Sequence, residues 1–272
     1  MPRYNDKQKI VEHYNFVSPY YRELWGKHLH HGYWIRGDES KELAQVQLIE
    51  HLAEAARIRA GQKILDVGCG FGGSSIYLAK NYQADVTGIT ISPVQVAMAT
   101  EAAALEGVVA KFLLMDAEAM HFDELFDLVW SVESVAHYQD VAKFFASVAN
   151  LLKPGGTLAL TDWFKKEDLA PRNFKKFIQP IERGMFVEMH TMEDYATSLR
   201  ASGLKIIQSE ILNDRCARTW DFASEIIRPK SLWSLAVQQG PELVRFLRAF
   251  RSMRAAFASG NFIYGLFIAT KS

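Results

Sequence analysis

The chain has 272 residues, and its 31 Lys+Arg balance 31 Asp+Glu, so it lacks the basic field that a nucleic-acid partner demands. With only Cys69 and Cys216, a disulfide scaffold and a cysteine-rich zinc site are excluded, and a reducing, cytoplasmic setting is the expectation. The opening Met1-Pro-Arg-Tyr-Asn-Asp-Lys-Gln-Lys9 is polar, so no signal peptide is expected, and no apolar run approaches the ~20 residues of a membrane span.

Apolar spacing predicts helices over residues 4–25 and 39–58, the second through Leu43, Val46, Leu48, Leu52 and Ala55. Strand candidates then fall at 63–67, 84–90, 110–114, 126–131 and 156–162, alternating with helical segments. That alternation predicts a parallel sheet with helices on both faces. Thr191-Met-Glu-Asp194 reads as the capped start of a further helix, followed by a strand near 204–211. Phe262-Ile-Tyr-Gly-Leu-Phe-Ile-Ala269 reads as the last strand. The chain divides into an N-terminal helical lid (1–60), a cofactor-binding core (61–211), a helical cap insertion (212–260) and a final core strand (261–272).

The run Lys63-Ile-Leu-Asp-Val-Gly-Cys-Gly-Phe-Gly-Gly73 joins an apolar strand, through Asp66, to a glycine loop that opens a helix. Glycines let a ligand approach the backbone, and the helix start offers unpaired N–H groups to an anion. Gly68, Gly70 and Gly73 also satisfy G-x-G-x-x-G, the fingerprint of a dinucleotide-binding oxidoreductase. A dinucleotide fold places an acid at the end of the second strand to hold the ribose, whereas Ala84-Asp-Val-Thr-Gly-Ile-Thr90 ends on Thr90. Asp66, just ahead of the glycines, also opposes the oxidoreductase reading.

The phrase Gly88-Ile-Thr-Ile-Ser-Pro-Val-Gln95 resembles the class I methyltransferases of the sterol and tocopherol subgroup, with cyclopropane-fatty-acid synthases as more distant relatives. Four more phrases resemble that group, and sugar O-methyltransferases, in the same order: Leu29-His-His-Gly-Tyr-Trp34, Met115-Asp-Ala-Glu118, Phe126 to His137, and Lys153-Pro-Gly-Gly156. The resemblance implies a doubly wound, Rossmann-like α/β fold with a seven-stranded sheet, parallel except for an antiparallel last strand. It implies S-adenosylmethionine as cofactor, held by Asp66, Gly68, Gly70 and Gly72, with Thr90 and Gln95 on the ribose. Asp116, Ala117 and Glu118 are expected at the adenine, and Trp130 and Tyr33 beside the cofactor.

Methyl transfer needs an acceptor atom in line with the sulfonium methyl, and a hydroxyl acceptor must also lose a proton. His137, just past the fourth strand, matches the base of sugar O-methyltransferases, and Asp162 matches the acid that accompanies it. Glu133 completes Glu133-Ser-Val-Ala-His137, a spacing shared by carbon and oxygen methyltransferases, and could stabilise a cation with nearby tyrosines. Tyr20, His31, Trp163 and Trp220 are expected on the acceptor side. No metal is expected, because His28, His30 and His31 lack a Cys or paired acid to complete a ligand set.

Trp220, Leu243, Phe246, Leu247, Phe250 and Phe257 make the insertion apolar, which suggests a small hydrophobic acceptor or simply the buried faces of two helices. Arg245, Arg248, Arg251 and Arg254 step by three and drift around a helix, the pattern of a solvated face. Three enzymatic or binding readings stand: O-methylation with His137 as base, C-methylation of an alkene with or without cyclisation, and a binding module that keeps the cofactor without catalysis. A homo-oligomer is left open.

Overall fold

The computed structural model describes residues 4–272. Seven strands form one sheet: β1 (Lys63–Val67), β2 (Asp85–Thr90), β3 (Lys111–Leu114), β4 (Phe126–Val132), β5 (Leu152–Lys165), β6 (Leu204–Ile211) and β7 (Phe262–Lys271). Their spatial order is β3-β2-β1-β4-β5-β7-β6. β7 runs antiparallel to both β5 and β6, and the pairings among β1 to β5 are parallel. A parallel crossover needs roughly a dozen residues to return the chain, usually as a helix.

Helices α1 (Lys7–Leu24) and α2 (Lys41–Ala55) precede the sheet. Helices α3 (Gly73–Tyr82), α4 (Pro93–Leu105) and α5 (Val141–Leu151) make the β1–β2, β2–β3 and β4–β5 crossovers, and residues 115–125 cross from β3 to β4 without a helix. After β5 come α6 (Pro171–Asn173), a π-helical turn at Phe174–Ile178, α7 (Gln179–Met185) and α8 (Met192–Ala201). The segment between β6 and β7 is helical: α9 (Asn213–Cys216), α10 (Thr219–Ile226), α11 (Lys230–Gln239) and α12 (Pro241–Ala258).

Both faces of the sheet are buried, as alternate residues show. Ile64, Leu128, Trp130, Ala159 and Ile268 join one core cluster, while Leu65, Val67, Val129, Leu158 and Phe267 join the other. Strand side chains alternate between faces, so near-continuous apolar runs are what a doubly covered sheet requires.

Local signals set the helix starts. The Thr191 side chain accepts from Asp194 N, and the Asp194 side chain accepts from Thr191 N, the reciprocal cap that the motif predicts. Ser92 caps α4 with Pro93 at its first turn, and its hydroxyl accepts from Gln95 N at 3.1 Å. The largest boundary shift is in β5, which begins at Leu152, four residues before the expected 156, and Lys153-Pro-Gly-Gly156 forms an irregularity within it. Phe126 pairs with Leu152 while Leu128 pairs with Thr157, so the extra residues loop out of the ladder.

Candidate active site

The strand order reverses between β1 and β4, and a crevice opens beyond the carboxyl ends of the strands there, where open α/β sheets place ligands. A cavity of about 170 Å³ occupies it, floored by the glycine loop, walled by the loops after β2, β3 and β4, and roofed by α1, α7, α10 and α12. Of the expected residues, Asp66, Gly68, Gly70, Thr90, Gln95, Asp116, Ala117, Glu118, His31, Glu133, His137, Trp163 and Trp220 all line it.

The glycine loop is shaped for a ligand. Gly68 has φ +78°, and a Cβ there would strike Ser134 Cβ at 2.4 Å. Gly70 has φ +54°, and a Cβ there would meet only Leu29 Cδ1, at 3.4 Å, so a side chain would fill the cavity itself. Asp66 is buried and accepts from Ser75 Oγ at 2.5 Å. Burial lifts its carboxyl to about 7 against the opposing hydrogen bonds from Ser75. Thr90 donates to Gln95 Oε1 at 2.6 Å, and Gln95 Nε2 donates to Ser18 Oγ on α1 at 3.2 Å. These neutral side chains have the donors and acceptors that a ribose diol needs, and the open glycine cradle fits the methionine end of a nucleoside sulfonium.

Helix α1 closes over this site through polar contacts that the residue pattern did not announce. Lys7 Nζ bridges Asp116 at 2.7 Å and Glu118 at 2.9 Å. Ser92 donates to Asn15 Oδ1 at 2.6 Å, and Tyr14 OH donates to His137 Nε2 at 2.9 Å. Ile10, Tyr14 and Tyr21 all face the cavity, and their spacing of four and seven is the one signal that could have found Tyr14.

His137 follows β4 in a short 3-10 turn (Val135–His137). Its Nδ1 lies 3.0 Å from the Phe186 carbonyl, which can only accept, so Nδ1 carries the proton and Nε2 holds the lone pair. Burial depresses the imidazole to about 4, partly offset by the bond to Phe186, so the ring is neutral at pH 7. The neutral ring can accept a proton at Nε2, whose lone pair is held in this structure by Tyr14 OH, a group that itself lines the cavity.

The expected pairing of Asp162 with His137 is corrected by these contacts. Asp162 is buried outside the cavity and accepts from Ala136 N at 2.9 Å, Trp163 N at 2.8 Å and Tyr195 OH at 2.9 Å. Burial lifts its carboxyl to about 7. It therefore braces the loop that presents His137, and the Phe186 carbonyl orients the ring.

Glu133 is the hub of the opposite wall. Its Oε1 accepts from His31 N at 2.6 Å, His31 Nδ1 at 2.9 Å and Tyr264 OH at 2.8 Å, and Oε2 accepts from Trp163 Nε1 at 2.9 Å. Burial opposes its charge, but the His31 imidazole and these hydrogen bonds outweigh burial and hold the carboxyl below its ordinary range. Glu133 sits at φ +52°, a left-handed conformation that costs a non-glycine residue energy and here turns the carboxylate into the cavity wall.

Four other expected contacts lie elsewhere. Trp130 is fully buried within the core cluster and does not reach the cavity. Tyr33 stacks on His51 at 4.4 Å and does not line the cavity. Gly72 starts α3 at φ +85°, and a Cβ there would press on Ala99 and Phe112 at 2.9 Å, so its task is packing. Tyr20 is 47% exposed and lines a separate groove. The arginines of α12 also stay outside: Arg254 pairs with Asp221 at 2.9 Å, and Arg251 lies over the Trp233 ring.

A seven-stranded sheet of this order, with a glycine cradle after β1 and hydroxyl and amide groups after β2, defines an S-adenosylmethionine-dependent methyltransferase of Rossmann-like fold. Residues 2–261 match the CMAS family, Mycolic acid cyclopropane synthetase, and the chain belongs to it. It is 35% identical over 265 residues to the 2-methyl-6-phytyl-1,4-hydroquinone methyltransferase of Synechocystis sp. (strain ATCC 27184 / PCC 6803 / Kazusa), covering 91% of this chain and 82% of that protein. It is 31% identical over 251 residues to the chloroplastic tocopherol O-methyltransferase of Arabidopsis thaliana, covering 84% and 70%. Among solved structures, the [4+2]-cyclase SpnF superposes with a TM-score of 0.86 at 27% identity, covering 100% of this chain and 98% of that one.

Proposed function

We propose that this enzyme methylates an oxygen of a small hydrophobic acceptor carrying a hydroxyl, with His137 as the base. The supporting observation is the neutral His137 ring, whose Nε2 lone pair is turned to Tyr14 OH at the cavity wall because the Phe186 carbonyl binds Nδ1–H. S-adenosylmethionine, when bound, supplies the electrophilic methyl. The acceptor hydroxyl takes the position of Tyr14 OH at Nε2 and gives its proton to that nitrogen. Gly68 and Gly70 admit the cofactor backbone-close, Thr90 and Gln95 hold its ribose, and Asp116, Ala117 and Glu118 hold its adenine end. Trp163, Trp220 and the aromatic face of α12 exclude water from the transfer.

The relative that acts on a phytyl hydroquinone supports an acceptor with a phenolic head and an isoprenoid tail. In this reading residues 1–60 form the lid, 61–211 the core, 212–260 the cap and 261–272 the last strand, and Met1 to Arg3 of that lid lie outside the described residues. Among the described residues no helix is long and apolar enough to cross a membrane. The unpaired, buried thiols of Cys69 and Cys216 support a reducing cytoplasm.

One observation favours a second reading. The ionised Glu133 carboxylate stands in the cavity wall on the side of Trp163 and His31, where it can stabilise a carbon cation formed by C-methylation. The deciding experiment incubates the enzyme with methyl-labelled S-adenosylmethionine and an alkyl hydroquinone, then locates the label by NMR. A methoxy product supports the first reading, and a ring methyl overturns it in favour of the second.

A further inference from the structure

Beside the active-site cavity lies a second hollow of about 70 Å³, between α1 on one side and the ends of α10, α11 and α12 on the other. Its walls are almost wholly hydrocarbon, including Val17, Leu232, Leu235, Leu243 and Leu247. Four side chains, Tyr21, Trp25, Phe246 and Phe250, line both hollows and so form the partition between them. Tyr21 meets Phe246 edge to face at 5.8 Å, and Phe246 meets Phe250 at 5.2 Å. The Trp25 indole N–H in that partition is buried without a hydrogen-bond partner. At the outer end, Phe16, Tyr20 and Leu24 on α1 are 41%, 47% and 47% exposed, one helical turn apart, and form an open apolar mouth.

We propose that this groove is the subsite for the hydrocarbon tail of the acceptor, and that Tyr21 and Phe246 are the gate through which the tail passes; the proposal rests on the acceptor reading given above. The partition consists of Tyr21 of α1, Trp25 at its C-terminal end, and Phe246 and Phe250 of α12, so it lies between helices and away from the sheet. The groove continues from the end of the cavity walled by α1 and α12, and a chain of contacts links it to the base: the His13 ring meets Phe246 at 4.8 Å and Tyr14 at 5.3 Å, and Tyr14 OH bonds His137 Nε2 at 2.9 Å. A tail that displaces Phe246 thus presses on the helix segment that holds Tyr14 against His137. The absence of charged groups from the groove walls selects an alkyl or isoprenoid chain over a polar substituent, because such a lining offers no partner for a buried polar group.

The test uses the full chain saturated with S-adenosylhomocysteine and a series of n-alkyl hydroquinones of increasing chain length, titrated by tryptophan fluorescence. Affinity is expected to rise roughly fourfold per methylene, the transfer value for a buried CH₂, and to level off once the groove is filled. Leu243→Trp fills the groove without reaching the cavity and should abolish the rise beyond short chains, while the variant still binds S-adenosylhomocysteine as proof of folding. A hydroquinone with a terminal diazirine should cross-link to Val17, Leu235 or Leu243. A length dependence that survives Leu243→Trp, or cross-links outside the groove, overturns the tail subsite. Hydroquinones that bind at no chain length overturn the acceptor reading itself, a separate failure visible in the first titration.

Discussion

Replacing His137 by Ala tests the central chemistry most directly. The ring is neutral because burial holds it near 4, so catalysis should persist at pH values where an ordinary histidine is already charged. The wild-type turnover is expected to show its acid limb near pH 4, and the variant to lose about 10²–10⁴-fold in turnover, the usual contribution of general-base catalysis. S-adenosylhomocysteine affinity, measured by calorimetry, should stay nearly unchanged. Stability supplies an independent readout. A histidine whose folded pKa lies below its unfolded value favours the fold above pH 6.5, and that contribution is lost as pH falls toward 4. The interval is worth about 3 kcal/mol for this fully buried ring, so the stability of wild type relative to His137→Ala should fall by that order across it. Subtracting the variant removes the opposing titration of Asp66 and Asp162, whose raised carboxyls favour the fold at low pH and lose that benefit as pH rises toward 7. An acid limb at pH 6.5, or a large loss of cofactor affinity, would refute the argument.

Asp162→Ala should act on stability before chemistry, because it leaves Ala136 N, Trp163 N and Tyr195 OH without an acceptor. At about 1–3 kcal/mol per buried orphan, the loss is about 3 kcal/mol or more. Scanning calorimetry should show a Tm drop of roughly 6–12 °C, and a drop near zero would contradict the bracing role. Gly70→Ala combines a Cβ at φ +54° with a methyl group in the cavity, so it should weaken S-adenosylhomocysteine binding at least several-fold in a fold that still unfolds cooperatively. Tyr14→Phe unfastens α1 from His137 and should cost about 1 kcal/mol in stability. It should also speed S-adenosylhomocysteine release in stopped-flow traces, and unchanged release would mean that α1 is not a lid. Thr90→Val breaks the bond to Gln95 and should lower cofactor affinity while leaving the melting temperature within a few degrees.

The sheet was legible because its evidence is local. Apolar runs ending in glycine or polar turns mark β1 to β4, and Thr191 with Asp194 marks a helix start through bonds only three residues apart. The glycine loop and the Thr90 to Gln95 phrase were legible for the same reason: the backbone shape and the Ser92 cap that set them are encoded within a few residues. Lys153 to Gly156 was misread as a boundary because a bulge keeps turn composition while its flanks remain paired to β4.

Sequence by itself determined the order of elements, the parallel core and the place of the cofactor loop, since periodicity and turn chemistry act along the chain. Tertiary structure decided which groups meet across it. Family resemblance pairs Asp162 with His137, yet the carboxylate turns to Tyr195 and Ala136 while the imidazole is held by Phe186, 49 residues away. Lys7 finds Asp116 across 109 residues, and Glu133 gathers donors from His31, Trp163 and Tyr264 on three separate segments. Such partners carry no local periodicity; they are selected when burial leaves a charged or polar group only the neighbours that folding brings to it.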